Sequence, residues 1–411
     1  MTPAHAAIPE SLVSPPKRAS LRGLVSLCRR ASLWALTVPG AFALWGCKDP
    51  YVSPYKAPAT GYLVVEGYIS GNSTSQFALS RSIPLPGDSA LPTENGATVQ
   101  IEGSDNSVYP LTGEGNGVYT TVDTLQLNTQ LEYRLNIQIA SGEKYQSDFV
   151  PYKPTPSIDS VNWVQNGDNS IQIYVNTHDP ADNTHYYQWN FDQTYEYHSA
   201  EESDNYWDKD TMPPAIEPRA PQDQVFRCWQ SGSSTNIIID NTTKLSADLV
   251  YRQPVKYIPP DDVQSSVLYS ILVRQYSLTA DGYNFLSLMQ QNTESLGSIF
   301  DAQPSQITGN IHSLTHPTEQ VIGYVSAGTV QSQRIFIYRN QIKSMYSYSC
   351  PIADTLFTDS IQYVKNYGSG VLTPMYFGTL HKEQGWVSNY TFCLVCTTAG
   401  GTNHPPSYWP N

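Results

Sequence analysis

The stretch "EYRLNIQI", residues 132–139, puts Tyr133, Leu135, Ile137 and Ile139 on one side of an extended chain, and Glu132, Arg134, Asn136 and Gln138 on the other. This alternation has a period of two, the signature of a β-strand with one face buried and one face wet. A helix of 3.6 residues per turn cannot gather those four apolar side chains on one side. "ATVQIEG" repeats the pattern with Ala97, Val99 and Ile101. Turn-forming clusters separate such runs: "ISGNS" at 69–73, "GEGNG" at 113–117 and "SGEK" at 141–144. Short strands at this spacing predict an Ig-like or prealbumin-like β-sandwich over residues 61–150. The excess of tyrosine, 29 against 11 phenylalanines, also favours amphipathic strands over helical bundles.

"PYKPTPS", residues 151–157, is the best linker candidate, because its three prolines cannot continue a central strand. Strands resume beyond it in "SIQIYVNT", "THYYQWNF", "SVLYSILVRQYSL" and "QRIFIYR". Residues 196–223 carry eight acids and little periodicity, which reads as a long surface loop. "LTADGYNFLSLMQQNTESLG" changes character: Thr279 can cap, and Phe285, Leu286, Leu288 and Met289 fall at helical spacing, predicting a helix near 279–293. The expectation is a mainly β chain, an N-terminal sandwich followed by a larger β-rich domain over 157–411 with one inserted helix.

Residues 1–46 read differently. A basic, polar start ends in "CRR" at 28–30, and an apolar run of fifteen residues, Ala31–Trp45, follows. That is short of the ~20 residues a membrane-spanning helix needs and fits a secretory signal peptide. Leu44, Trp45, Gly46 and Cys47 resemble a lipobox, in which the cysteine sulfur takes a diacylglycerol and the freed amino group a further acyl chain. Two or three such chains hold a protein firmly at a bilayer. The mature chain is thus expected to start at Cys47, with residues 48–60, "KDPYVSPYKAPAT", as a Pro-rich tether. Lys48 and Asp49 resemble part of a surface-export signal that Pro50 interrupts, so the membrane face, periplasmic or cell-surface, stays open.

Net charge is −13 for the whole chain. Without residues 1–46 it is −17, from 18 basic and 35 acidic side chains, which excludes the basic footprint of a nucleic-acid partner. No G-x-S-x-G, H-E-x-x-H or phosphate-binding loop occurs, so no catalytic residue, metal or cofactor is expected. His178 and His185 flank "DPADNT" beside Asp179, but nothing fixes a third ligand. Four cysteines of the mature chain, Cys228, Cys350, Cys393 and Cys396, are candidates for two disulfides, with three connectivities open. Cys393-Leu394-Val395-Cys396 also has the spacing of a redox pair or half a zinc site. In "THYYQWNFDQTYEYH", Tyr187, Trp189 and Phe191 share one face, most simply the core. Tyr186, Tyr195 and Tyr197 are candidate contacts for a ligand or partner.

"CWQSGSSTNIII", "YSILVRQYSLTADGYNFLSLMQQNTESLGSIFDAQPSQITGNIHS", "EQVIGYVSAGTVQSQRIFI" and "CLVCTTAGGTNHPPSYWP" together resemble the domain-of-unknown-function 4249 family of Bacteroidota lipoproteins. Members typically close with C-x-x-C, GGT and P-x-x-W, here Cys393, Cys396, Gly400, Gly401, Thr402, Pro406 and Trp409. Thr397 and Thr398 stand where a basic residue is common. The resemblance implies an outer-membrane lipoprotein, often encoded near TonB-dependent receptors, and supplies no catalytic residues. The resulting expectation is a non-enzymatic accessory to a TonB-dependent transporter that captures ligand or stabilises the complex. The alternative is a surface glycan-binding module using exposed aromatics.

Overall fold

Alternation builds the first strands. The computed structural model describes residues 61–83, 91–294, 308–343 and, with short breaks, 346–410. The expected signal peptide over 1–46, the candidate lipidation residue Cys47 and the expected tether over 48–60 lie outside the described residues. β1 (Leu63–Ser70), β2 (Gln76–Arg81), β3 (Thr98–Gly103) and β4 (Val108–Gly115) are followed by β5 (Val118–Thr121), β6 (Glu132–Gln138), β7 (Lys144–Ser147) and β8 (Val150–Lys153). In β6 the apolar face is the buried one, with Tyr133, Leu135 and Ile137 at most 2 % exposed. The strands run β7-β6-β3-β4-β5-β2-β1, and β6 also pairs with β8. The sheet thereby curls around Leu63, Ile69, Phe77, Leu79, Ile101 and Leu135. This barrel-like sheet stands where two separate sheets were expected, because β6 serves both β3 and β8.

The next segment holds the sandwich. Its strands are β9 (Ile158–Gln165), β10 (Ile171–His178), β11 (Tyr186–His198), β12 (Asn205–Asp208), β13 (Ala215–Pro218), β14 (Arg227–Ser233), β15 (Ile238–Asn241), β16 (Leu249–Ile258) and β17 (Leu268–Ser277). Residues 196–223 are therefore no plain loop: β11 runs through His198, and β12 and β13 form a hairpin. Four-residue strands are too short to show a period. The sheet β16-β10-β9 shares one apolar core with β14-β11-β17, built on Ile173, Val175, Trp189, Tyr269, Ile271 and Val273. Trp189 Nε1 donates to Gln275 Oε1 (2.9 Å), and Gln275 Nε2 donates to Thr177 Oγ1 (3.0 Å) and the Pro156 carbonyl (2.9 Å). Each polar atom of this core pair is satisfied, as burial requires. A Trp189→Ala change would cost about 3–5 kcal/mol.

α1 (Ala280–Glu294) starts where Thr279 predicts it, Thr279 Oγ1 accepting from the Gly282 N–H (3.1 Å). The chain then returns to the barrel. β18 (Ile311–Ser313) adds to β7, and β19 (Val321–Ile322) and β20 (Ala327–Gly328) lie parallel to β1. β20 also pairs with β8, closing the ring. β21 (Val330–Tyr338) crosses back to pair with β17. The fold is mainly β, with a helix inserted, as the sequence predicts. The described residues hold together as one unit.

"PYKPTPS" separates barrel strands from sandwich strands in the chain, yet it is not a loose linker. Val150–Lys153 is itself a strand. Prolines lack a donor but keep a carbonyl, and those of Pro154 and Pro156 accept from Ser277 and Gln275. Thr155 donates two hydrogen bonds to Thr329, from its N–H to Oγ1 and from its hydroxyl to the carbonyl, sealing the join. At the C-terminal end, β22 (Thr355–Phe357), β23 (Leu372–Leu380) and β24 (Glu383–Tyr390) form a small sheet, followed by α2 (Thr391–Leu394).

Candidate functional site

A cleft of about 1440 Å³ opens where barrel, sandwich and α1 meet. Its floor is the outward face of the sandwich: Gln188, Asn190 and Asp192 on β11, with Arg274 and Tyr276 on β17. Cross-strand register fixes this set, Gln188 lying opposite Tyr276 and Asn190 opposite Arg274. Arg274 forms an ion pair with Asp192. Burial opposes ionisation of Asp192, but hydrogen bonds from Arg274 and Ser233 outweigh it and hold the carboxyl below the usual carboxylate range. Asn190 Nδ2 donates to Tyr276 Oη (3.1 Å).

One wall comes from β1, where Glu66 and Gly67 are exposed and the Tyr68 ring meets Tyr276 edge-on at 5.0 Å. Burial pushes the Tyr68 phenol well above its ordinary range, and its hydroxyl donates to the Ser277 carbonyl (3.3 Å). The other wall is apolar: α1 contributes Phe285, Leu286 and Met289. Chemically the cleft combines amides, three tyrosines (Tyr68, Tyr276 and Tyr324), one internally paired cation and a greasy side. Such a mixture has the apolar lining and few polar groups of a ligand-binding cleft.

The aromatic candidates separate by parity. β11 runs without a bulge through His198, so Tyr195 and Tyr197 fall on the face of Tyr187, Trp189 and Phe191, although burial stops alternating beyond Phe191. Tyr197 is 5 % exposed, and its hydroxyl donates to the Cys396 carbonyl (2.8 Å). It belongs to the core and cannot be a surface contact. Tyr195 is half-buried, donates to Gln230 Oε1 (2.7 Å), and is pushed up to about 12 by burial. Tyr186 points the other way, its ring 5.2 Å from Tyr283 of α1. The residues that line the cleft, Gln188, Asn190 and Asp192, share the Tyr186 face. Extending the parity of "YYQWNFD" would have found them.

The far half of that β11 face is covered by the C-terminal segment. Thr194 is hydrogen-bonded to Tyr408 (2.7 Å), and the buried Glu196 accepts from Trp409 Nε1 (3.1 Å) and Arg227 Nε (2.8 Å). Thr402 exchanges two main-chain bonds with Trp229 (2.8 and 2.9 Å), and a Cβ at Gly401 would strike the Tyr197 hydroxyl. The disulfides are Cys228–Cys396 and Cys350–Cys393. Cys393 and Cys396 thus bond away from each other, neither as a redox pair nor around zinc. The closing motif is a clasp that ties the chain end to β11 and β14.

His178 and His185 do not converge on Asp179. His178 pairs with Asp159 (2.8 Å), while Asp179 accepts the N–H groups of Ala181, Asn183 and Thr184. Among the described residues no group of three or more His, Cys, Asp or Glu side chains could hold a metal ion, and no helix is long and apolar enough to cross a membrane.

A family model described as a domain of unknown function, DUF4249, matches residues 48–334, well over half the chain. The chain belongs to the DUF4249 family. The match spans both barrel and sandwich strands, α1 and most of β21, and hence every element that lines the cleft. No curated protein matches the sequence. Among solved structures, an E. coli alpha-2-macroglobulin in its native conformation aligns at 10 % identity, with a TM-score of 0.17, over 55 % of this DUF4249 chain and 14 % of its own. The chitinase ChiA74 from Bacillus thuringiensis aligns at 13 % identity, with a TM-score of 0.15, over 46 % of this chain and 30 % of its own. This chain therefore spans less than a third of either protein's length, and neither likeness bears on function.

Proposed function

We propose that this DUF4249 protein is a lipoprotein anchored in the outer membrane through Cys47, and that it captures ligand for a TonB-dependent transporter. The observation that carries the capture role is the cleft at the barrel–sandwich junction, with its amide-rich floor and apolar helical wall. The anchor is supported by the Leu44-Trp45-Gly46-Cys47 sequence after a basic, apolar leader. The partner is supported by the family's resemblance to lipoproteins encoded beside such receptors. The role needs no chemistry at the site.

Tagged full chain, solubilised from membranes in mild detergent, tests the reading. The wild type is expected in the outer-membrane fraction together with a β-barrel protein, and Cys47→Ser in the soluble fraction or as an uncleaved precursor. Cys47→Ser that still floats with membranes would contradict the anchor, and a wild-type chain repeatedly recovered alone would contradict the partnership.

A further inference from the structure

β1 carries a gap in its main-chain pairing at the cleft. Along a strand, successive residues direct N–H and C=O alternately to the two neighbours. The Ser82 N–H donates to the Tyr62 carbonyl (2.9 Å), so even-numbered residues serve β2. The Ile69 N–H donates to the Ser326 carbonyl (2.9 Å), so odd-numbered ones serve the other side. There β19 pairs only with Leu63 and Val64, and β20 only with Ile69 and Ser70. Between them the facing chain is diverted. Asn310, buried, donates from Nδ2 to the Val325 carbonyl (3.0 Å) and accepts the Val325 N–H at Oδ1 (2.8 Å). The N–H and C=O of Gly67 are left without a hydrogen bond among the described residues, at an exposed position on the cleft wall. A Cβ there would run into the Phe77 ring and the Gln76 carbonyl, so the site keeps bare backbone.

We infer that the cleft binds an extended, neutral-to-cationic polypeptide segment, which pairs with the main chain at Gly67. This deepens the capture role and rests on it. The gap that β19 and β20 leave between them offers one donor and one acceptor, the main-chain pairing that extended peptide ligands make. The Gln188 carboxamide, with no hydrogen bond among the described residues, faces the same space and can match a peptide group. Among the described lining residues Glu66, Asp192 and Glu294 oppose Arg274 alone, and Arg274 is taken by Asp192. The remaining charge is negative and disfavours anionic ligands. Leu286 and the pliable Met289 offer an aliphatic surface for varied side chains. Sugars prefer open aromatic faces, whereas Tyr68 and Tyr276 pack edge-to-face against each other and Tyr324 packs against Phe285. The cleft volume, about 1440 Å³, exceeds the ~300–1,000 Å³ typical of small-molecule sites and suits an oligomeric ligand.

The test uses the full chain in detergent micelles, with a tryptic digest of casein as peptide pool and a mixed dextran ladder as the saccharide arm. Bound material is separated by gel filtration and identified by mass spectrometry, and amide exchange at Gly67 is followed with the retained peptides. The expected result is enrichment of neutral and basic peptides, slowed exchange at Gly67, and at least tenfold weaker retention by Met289→Asp. Glu66→Lys, a change at an exposed position, should selectively lose the basic peptides. Peptides held equally by wild type and both variants, or unchanged exchange at Gly67, would overturn the assignment. Dextran retained in place of peptides would overturn the polypeptide class and leave capture standing. Retention of neither would remove capture as well, independently of whether a β-barrel partner co-purifies.

Discussion

Glu196 shows how much one side chain can decide. It sits in register with the cleft residues of β11, yet its carboxylate is buried against the C-terminal segment. Burial alone would raise its pKa; hydrogen bonds from His198, Arg227 and Trp409 outweigh that and hold it at about 2, against an ordinary 4.5. A depressed carboxylate stabilises the folded chain above its unfolded pKa and loses that contribution as pH falls through the folded one. Urea unfolding should therefore show Glu196→Gln less stable than wild type at pH 7, by on the order of 3 kcal/mol. The gap should close as pH drops from about 4.5 toward 2. A gap independent of pH would refute the clasp. In the sequence Glu196 looked like the first acid of a surface loop. Tyr195 and Tyr197 looked available for the same reason, since nothing local shows that β11 continues to His198. Period-two logic held, and where the strand stopped was the unknown.

At the scale of elements, regular strands and α1 were legible because their periodicity and cap are local. The pieces that shape the cleft were not. β19 and β20 have two residues each, too few for any pattern, and they pair with β1 across more than 250 positions. Two asparagine side chains stand in for missing ladder bonds: Asn310 at Val325, and Asn72, which donates to the Val330 carbonyl and accepts its N–H, both at 2.9 Å. Such devices depend on tertiary position and leave no trace in spacing. Asn310→Ala would strand two main-chain groups of a buried residue, costing about 2–3 kcal/mol. Hydrogen exchange should report faster exchange at Val325, with β9 and β10 unchanged. Uniform acceleration across the chain, or none, would contradict the local role.

The whole molecule is bound by a chain that crosses between barrel and sandwich repeatedly: at Pro154–Pro156, through α1, and again from β20 to β21. The Cys228–Cys396 bridge adds a covalent tie across a separation of 168 residues, worth about 5 kcal/mol by chain entropy. Even cysteine count announced two bridges; which sulfurs meet depended on β14 lying beside the chain end. These crossings join the elements that line the cleft, whose proposed role is to hold ligand for a partner. Native mass spectrometry of the complex purified through the tagged full chain tests that account most directly. It predicts a complex with a β-barrel protein that carries an added ligand mass, and loss of that mass in Met289→Asp. A chain ionising by itself, or an added ligand mass retained in Met289→Asp, would contradict it.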